Sequence, residues 1–279
     1  MAADFTPGVT HALSPLVRRI VAPNPGPFTG PGTNTYLVGI DEVAVIDPGP
    51  DDRGHLDAVV GAAVAERVRW VLLTHFHPDH VPGTNRLVAA TGAEVLAFRR
   101  PPRALGVRVD RLLADGDTVE GTEFGLDVLH TPGHAPEHLC FLLEEERALF
   151  TGDTVLGGTW SVISPKAGGD MDDYLDSLAR LERLRLRRLY PAHGDAIDDP
   201  KGRIREYVAH RRARERQILT LLKGGPLRIR EIVEVIYADQ DLHPQLVAAA
   251  RNQVHAHLLR ARAAGKVTGT SATAAWALV

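Results

Sequence analysis

Residues 75–80 read His75-Phe76-His77-Pro78-Asp79-His80 and directly follow the apolar run Trp70–Thr74. Four side chains able to hold a metal therefore crowd a loop that leaves a buried strand. A strand end holds its backbone rigidly, and alternation aims His75 and His77 to one side, with Asp79 and His80 on the turn beyond. Neutral imidazoles and carboxylates suit zinc, which takes about three or four such ligands per ion. A single histidine is ordinarily a surface or core residue. This cluster reverses that reading.

Three more candidate ligands follow, each beside a strand end in a glycine-bearing turn. They are His134 in His130-Thr131-Pro132-Gly133-His134, Asp153 in Thr151-Gly152-Asp153, and His193 in Pro191-Ala192-His193-Gly194-Asp195. Glycine permits the sharp turn that brings a short side chain to a shared centre. Gly-Asp and Pro-Gly turns are commonplace singly. In this order behind the first cluster, coincidence is a poor explanation.

The surrounding pattern is a mixture. Short β-branched runs at Thr35–Gly39, Val43–Asp47, Trp70–Thr74, Glu94–Ala97, Asp127–His130, Leu139–Leu143 and Ala148–Thr151 read as strands. Helical periodicity appears at Leu56, Val60, Ala63 and Val64, and again at Tyr174, Leu178, Leu181 and Arg185. Interleaving of this kind points to an α/β fold with mixed sheets flanked by helices, and two sheets sandwiched between helices would suit it. From about Ile204 the chain becomes nearly continuous helix. Tyr207–Lys223 stops at Gly224-Gly225-Pro226, Arg230–Tyr237 follows, Pro244 opens a third helix, and Val267–Val279 reads as a hairpin. Three helices and a β-wing outline a winged-helix-like module. The expected organisation is a catalytic domain over 1–203 and that module over 204–279.

The ordered set His-x-His-x-Asp-His, Thr-Pro-Gly-His, Gly-Asp and His-Gly resembles the ligand signature of the metallo-β-lactamase superfamily, over roughly residues 30–200. That resemblance implies an αββα sandwich with the site at one edge of the sheets. It implies that His75, His77 and His134 bind one ion, that Asp79, His80 and His193 bind a second, and that Asp153 bridges them. Two Zn²⁺ are the expected cofactors, and iron or manganese also suit these ligands. Such a pair activates a shared water and polarises the scissile group, with Asp79 and Asp153 as the catalytic carboxylates. Asp47 resembles the strand-end aspartate that braces the metal loop. His138 and His130 read as supporting residues, Cys140 as a small buried one, and His243, His255 and His257 as surface histidines of the tail.

Further stretches narrow the resemblance. Pro23-Asn24-Pro25-Gly26-Pro27-Phe28-Thr29, Gly32-Thr33-Asn34-Thr35-Tyr36-Leu37-Val38-Gly39 and His210-Arg211-x-x-Arg214-Glu215-x-Gln217-Ile218-Leu219 are similar to the beta-lactamase-like protein 2 family almost from end to end. Its animal members are single-strand-preferring endoribonucleases, and related fungal proteins are thioesterases. The loop from Gly157 to Asp170 is longer than that resemblance implies. Trp160 in it could stack on a base or an acyl chain and Lys166 could meet a phosphate, with loop packing the plainer role for both.

Charge bears on the choice of substrate. From Tyr207 onward there are 11 Lys/Arg against 5 Asp/Glu, while the rest carries 21 against 30. A basic tail on an acidic body suits a polyanion-binding module, although 28 of the 32 basic residues are arginine, a compositional habit that weakens the point. The leading expectation is an endoribonuclease-like phosphodiesterase on single-stranded RNA. The alternative is a thioesterase or glyoxalase-II-like hydrolase of small-molecule esters and acyl thioesters. A winged-helix nucleic-acid-binding regulator is a third reading that leaves the ligand set unexplained. One cysteine excludes an intrachain disulfide framework. No apolar run approaches a membrane span, and Met1–Ile20 shows no secretory pattern. The expectation is a cytoplasmic protein without a membrane partner.

Overall fold

A computed structural model describes residues 4–99 and 103–279. The chain forms two compact units. Met1–Thr131, Glu137–Thr159 and Arg185–Pro200 make the first, and Pro132–Pro136, Trp160–Leu184 and Lys201–Val279 the second.

The first unit opens with a seven-stranded sheet in sequential order: β1 (Thr10–Ala12), β2 (Val17–Val21), β3 (Asn34–Val38), β4 (Glu42–Ile46), β5 (Arg67–Leu72), β6 (Glu94–Ala97) and β7 (Arg111–Leu112). Helix α1 (Arg53–Ala62) links β4 to β5 and α2 (Thr84–Thr91) links β5 to β6. Strands β4 to β7 pair parallel, as strand–helix–strand crossovers require. Their inner runs, such as Val43–Ile46 and Trp70–Leu72, are buried throughout, because both faces of the sheet are covered. A second, five-stranded sheet holds β8 (Thr118–Glu120), β9 (Gly125–His130), β10 (Leu139–Leu143), β11 (Ala148–Gly152) and β12 (Arg188–Pro191).

One core cluster joins the two sheets, with Tyr36, Ile46, Trp70 and Leu72 against Leu126, Phe141, Phe150 and Tyr190. Another lies on the opposite face of the first sheet, where Leu37, Val45 and Val71 meet Leu56, Val59 and Leu87 of α1 and α2. Burial of this kind is worth roughly 25 cal/mol per Å² of apolar surface. It clamps β5 from both sides and fixes the strand from which the histidine loop departs.

The β-branched runs read from the sequence coincide with β3, β4, β5, β6, β9, β10 and β11. Strands β7 and β8 span only 2 and 3 residues, too few for periodicity to register. Strand β2 lacked a signal because Arg18 and Arg19 interrupt it. Arg19 is nevertheless only 2% exposed, its Nη2 donating to the Asp4 carbonyl at 2.9 Å.

The second unit contains α3 (Met171–Glu182), whose Asp170 cap accepts from the Asp172 and Asp173 amides. It continues with α4 (Pro200–Leu222), β13 (Leu227–Arg228), α5 (Ile229–Ile236), α6 (Pro244–Ala263), β14 (Val267–Thr268) and β15 (Ala275–Leu278). The three strands form a small sheet in the order β13-β15-β14. Ile218, Leu222, Ile232, Val254, Leu258 and Trp276 make its core. The tail histidines divide: His243 is exposed as expected, His255 is half-buried, and His257 departs from expectation. His257 is 1% exposed and so belongs to the interior, and the His243 side chain caps α6 through the Gln245 amide. A histidine is polar at its tip only, and helical register carried His257 to the packed face. Cys140, the single cysteine of the sequence, is buried, and among the described residues no helix is long and apolar enough to cross a membrane.

Candidate metal centre

The loop after β5 is built around one aspartate. Asp47, just past β4, adopts φ 50°, unusual for any residue but glycine. Its Oδ1 accepts the Thr74 amide at 2.9 Å and its Oδ2 accepts the Thr74 hydroxyl at 2.7 Å. The same Oδ2 lies 2.8 Å from His80 Nδ1. A carboxylate can only accept, so His80 carries its proton on Nδ1 and turns Nε2 inward. Asp47 thus pins both ends of the loop, and the strained backbone is sustained by four hydrogen-bonding partners counting the Leu72 carbonyl and the Thr35 hydroxyl.

The ligand atoms fall into two groups, each gathered within 4.8 Å: His75, His77, His134 and Asp153 in one, Asp79, His80 and His193 in the other. The structure therefore brings together all seven residues singled out from the sequence. His75 Nε2 stands 2.9 Å from His77 Nδ1. In the second group His193 Nε2 is 3.1 Å and His80 Nε2 3.3 Å from Asp79 Oδ2. Asp153 faces both groups with different oxygens. Its Oδ2 is 4.0 Å from His75 Nε2, while its Oδ1 is 3.3 Å from His193 Nε2 and 3.6 Å from His80 Nε2.

Electrostatics test whether a cation fits. His80 is fully buried, and among the described residues its Nε2 makes no hydrogen bond although two carboxylates lie within ion-pair reach. Burial opposes charge on His80, yet Asp79 and Asp47 outweigh it and hold its pKa well above the usual value. His193 is raised as well, burial being overcome chiefly by Asp153 and by its bond to Asp79. Burial would raise the Asp79 pKa, but His80 and His193 hold it far below the ordinary carboxylate range. Burial dominates at His77, which is lowered and so offers a lone pair. The pocket draws positive charge to inward-turned imidazole nitrogens. A divalent cation meets that demand in a single atom, so the residues fit a metal.

Several neighbours hold these ligands in place. His138 is fully buried and kept neutral by burial; its Nε2 accepts the Asp153 amide at 3.0 Å while its Nδ1 faces the Thr131 hydroxyl at 3.0 Å. Gly152 has φ 47°, and a Cβ there would lie 2.6 Å from His138 Nε2, so only glycine lets the two approach. His193 Nδ1 points at the Gly32 carbonyl at 3.2 Å, leaving Nε2 for the centre. His130 stacks on Phe98 at 4.0 Å instead of entering the cluster. Trp160 stacks on His210 at 4.0 Å, so the packing role holds in this structure.

The sequence reading missed Asn34 and Tyr36 as functional supports. Asn34 Nδ2 donates to the Pro191 carbonyl at 2.8 Å and to the Gly194 carbonyl at 2.9 Å, and the Tyr36 hydroxyl donates to Pro191 at 2.7 Å. Together they tie β3 to the turn that carries His193. Their signal lay in the Gly32–Gly39 stretch, but a partner 157 positions away leaves no local trace.

This fold and site define a class. The metallo-beta-lactamase superfamily profile matches residues 28–193, and the chain belongs to that superfamily. It has the mixed α/β fold of the superfamily, and the beta-lactamase associated winged helix domain matches residues 229–276. More particularly, it is 34% identical over 259 residues to a beta-lactamase-like protein 2 homolog of Caenorhabditis elegans, covering 87% of this chain and 85% of the relative. It is also 34% identical to an atrochrysone carboxyl ACP thioesterase of Aspergillus chevalieri, covering 81% of this chain and 74% of that one. A metallo-beta-lactamase family protein from Thermus thermophilus superposes with a TM-score of 0.78 at 27% identity, covering 96% of this chain and 100% of the other.

Proposed function

We propose that this chain is a binuclear zinc-dependent hydrolase that cleaves phosphodiester bonds in single-stranded RNA, with its catalytic domain over 1–203 and a winged-helix-like module over 204–279. The observation that carries the hydrolase reading is the division of the Asp153 carboxylate, one oxygen towards His75 and the other towards His80 and His193. His75, His77 and His134 would hold one ion, Asp79, His80 and His193 the other, and Asp153 both. Zinc, or iron or manganese in the same ligands, supplies Lewis acidity and lowers the pKa of water when bound. Asp79, ionised and with its side chain 26% exposed, orients the attacking water by accepting its proton in a hydrogen bond at Oδ2. Asp47 keeps the His80 ring from rotating away and His138 holds the Asp153 backbone in place, which preserves the reacting geometry between turnovers. Cytoplasmic location is part of the same proposal and suits a chain whose single cysteine is a buried thiol.

Support for a polyanionic substrate comes from the second unit. A cavity of about 380 Å³ is lined by Lys166, Arg228, Arg230 and Arg251, with no carboxylate among the described residues of its wall. Of these cations only Arg230 has an ion-pair partner among the described residues, Glu234 at 3.4 Å. Cations gathered around a concavity whose described wall carries no carboxylate suit a phosphate backbone. Similarity to the Aspergillus thioesterase supports the second reading, hydrolysis of acyl thioesters.

The test is zinc-loaded protein given a labelled single-stranded RNA and an acyl thioester side by side, with His77→Ala as the control. The expected result is RNA cleavage that the control loses and that Arg228→Ala/Arg251→Ala weakens through KM, with the salt dependence of RNA binding falling by about one unit of slope per cation removed. Thioester turnover with intact RNA would replace this reading with the second.

A further inference from the structure

The structure assigns Gln253 of α6, with Arg211 of α4, a positioning role toward His134; the assignment rests on His134 being a ligand. His134 Nδ1 lies 2.8 Å from the Val162 carbonyl and 3.2 Å from the Ser161 hydroxyl. A carbonyl can only accept, so this contact places the proton on Nδ1 and leaves the Nε2 lone pair for a cation. The tautomer and the ring plane of His134 therefore depend on where the Val162 peptide stands.

No helix or strand holds that peptide: residues 157–164 form neither, so no ladder of hydrogen bonds fixes their backbone. The side-chain amide of Gln253 does so instead, as a peptide in a neighbouring strand would. Its Nε2 donates to the Ser161 carbonyl at 2.9 Å, and its Oε1 accepts the Ile163 amide at 3.3 Å. The two bonds straddle Val162. Arg211 Nη2 donates to the same Ser161 carbonyl from α4. Ser161 is 1% exposed, Ile163 is fully buried and Arg211 is 2% exposed, so water is a poor substitute for any of these partners.

Ligands of a metal are ordinarily oriented by a second layer of hydrogen bonds, and removing a member of that layer costs about 10–100-fold in metal affinity. Here the layer extends one step further, from His134 to a loop peptide and from that peptide to two helices of the C-terminal region. Those helices thereby contribute to metal binding whether or not they also contact a substrate.

The decisive measurement is stepwise Zn²⁺ affinity, read by competition with a chromogenic chelator, for the wild type, Gln253→Leu, Gln245→Leu and His134→Ala. Gln245 is an exposed residue of the same helix and serves as the control. Gln253→Leu should lose about 10–100-fold for one of two ions and leave the other near wild type, and the His134 imidazole proton should exchange faster by NMR. Gln253→Glu keeps the acceptor for Ile163 and loses the donor to Ser161. It should move the same way by less, and it stands in if the leucine variant does not fold. Wild-type affinity for both ions in a folded Gln253 variant would overturn the assignment. Wild-type affinity in His134→Ala would instead remove the ligand reading beneath it.

Discussion

The interior around Asp79 and the interior around Arg211 pose the same electrostatic problem with opposite signs. In the first, buried carboxylates face histidines whose inward nitrogens await positive charge. In the second, Arg211, Arg214 and His257 lie together, and Arg211 Nε, Arg214 Nη1 and both His257 ring nitrogens have no hydrogen bond among the described residues. An isolated buried charge costs several kcal/mol. The acidic region has donors that fit a cation, which would relieve it from outside. The basic region is relieved from within: Arg211 lies 5.2 Å from the Tyr174 ring, Arg214 lies 4.6 Å from the Tyr237 ring, and His257 gives up its proton. Burial and the neighbouring arginines depress the His257 pKa to about 3. One region is organised to bind and the other to pack.

The comparison breaks most visibly at Asp153. Asp153→Asn keeps the shape but removes the charge both groups share. Turnover should fall at least about a hundredfold while circular dichroism stays native, and undiminished turnover would mean the acidic region is not a metal centre.

Asp47→Asn sharpens the same point one step away. Asparagine tolerates the positive φ, so the change isolates the loss of a carboxylate behind His80. Zinc affinity by chelator competition should fall by about 10–100-fold.

The smallest effect separates the regions by pH. His257 has a depressed pKa, so its contribution to stability is intact above its unfolded value of about 6.5 and is lost as pH falls towards its folded value of about 3. At pH 5 that amounts to about 2 kcal/mol, and His257→Leu should flatten the acid limb of the melting-temperature profile. His80 runs the other way. Its raised pKa gives the chelated protein stability that is full below about 6.5 and lost as pH rises through the folded value. A melt series on chelated protein that shows no alkaline loss would contradict the acidic region's description.

How much of this was legible depended on distance along the chain. His75, His77, Asp79 and His80 are adjacent in sequence, and the strand that aims them writes its own apolar pattern just before them. His134, Asp153 and His193 announced themselves through glycine turns, because a short side chain reaching a shared centre needs backbone freedom that glycine supplies. The winged-helix outline was readable for a similar reason, since helix periods and stop signals are local. Local elements and the candidate ligands could thus be read from the sequence alone.

Only the tertiary structure decided which group completes which ligand. Asp47 reaches His80 across 33 positions, Asn34 reaches Gly194 across 160, and Gln253 reaches Ser161 across 92. His257 read as a surface residue until packing enclosed it. Hydrogen bonds and burial act through space, and the energy of a buried polar atom is set by whatever partner the fold brings to it. A sequence written in one dimension specifies those partners only through the fold as a whole.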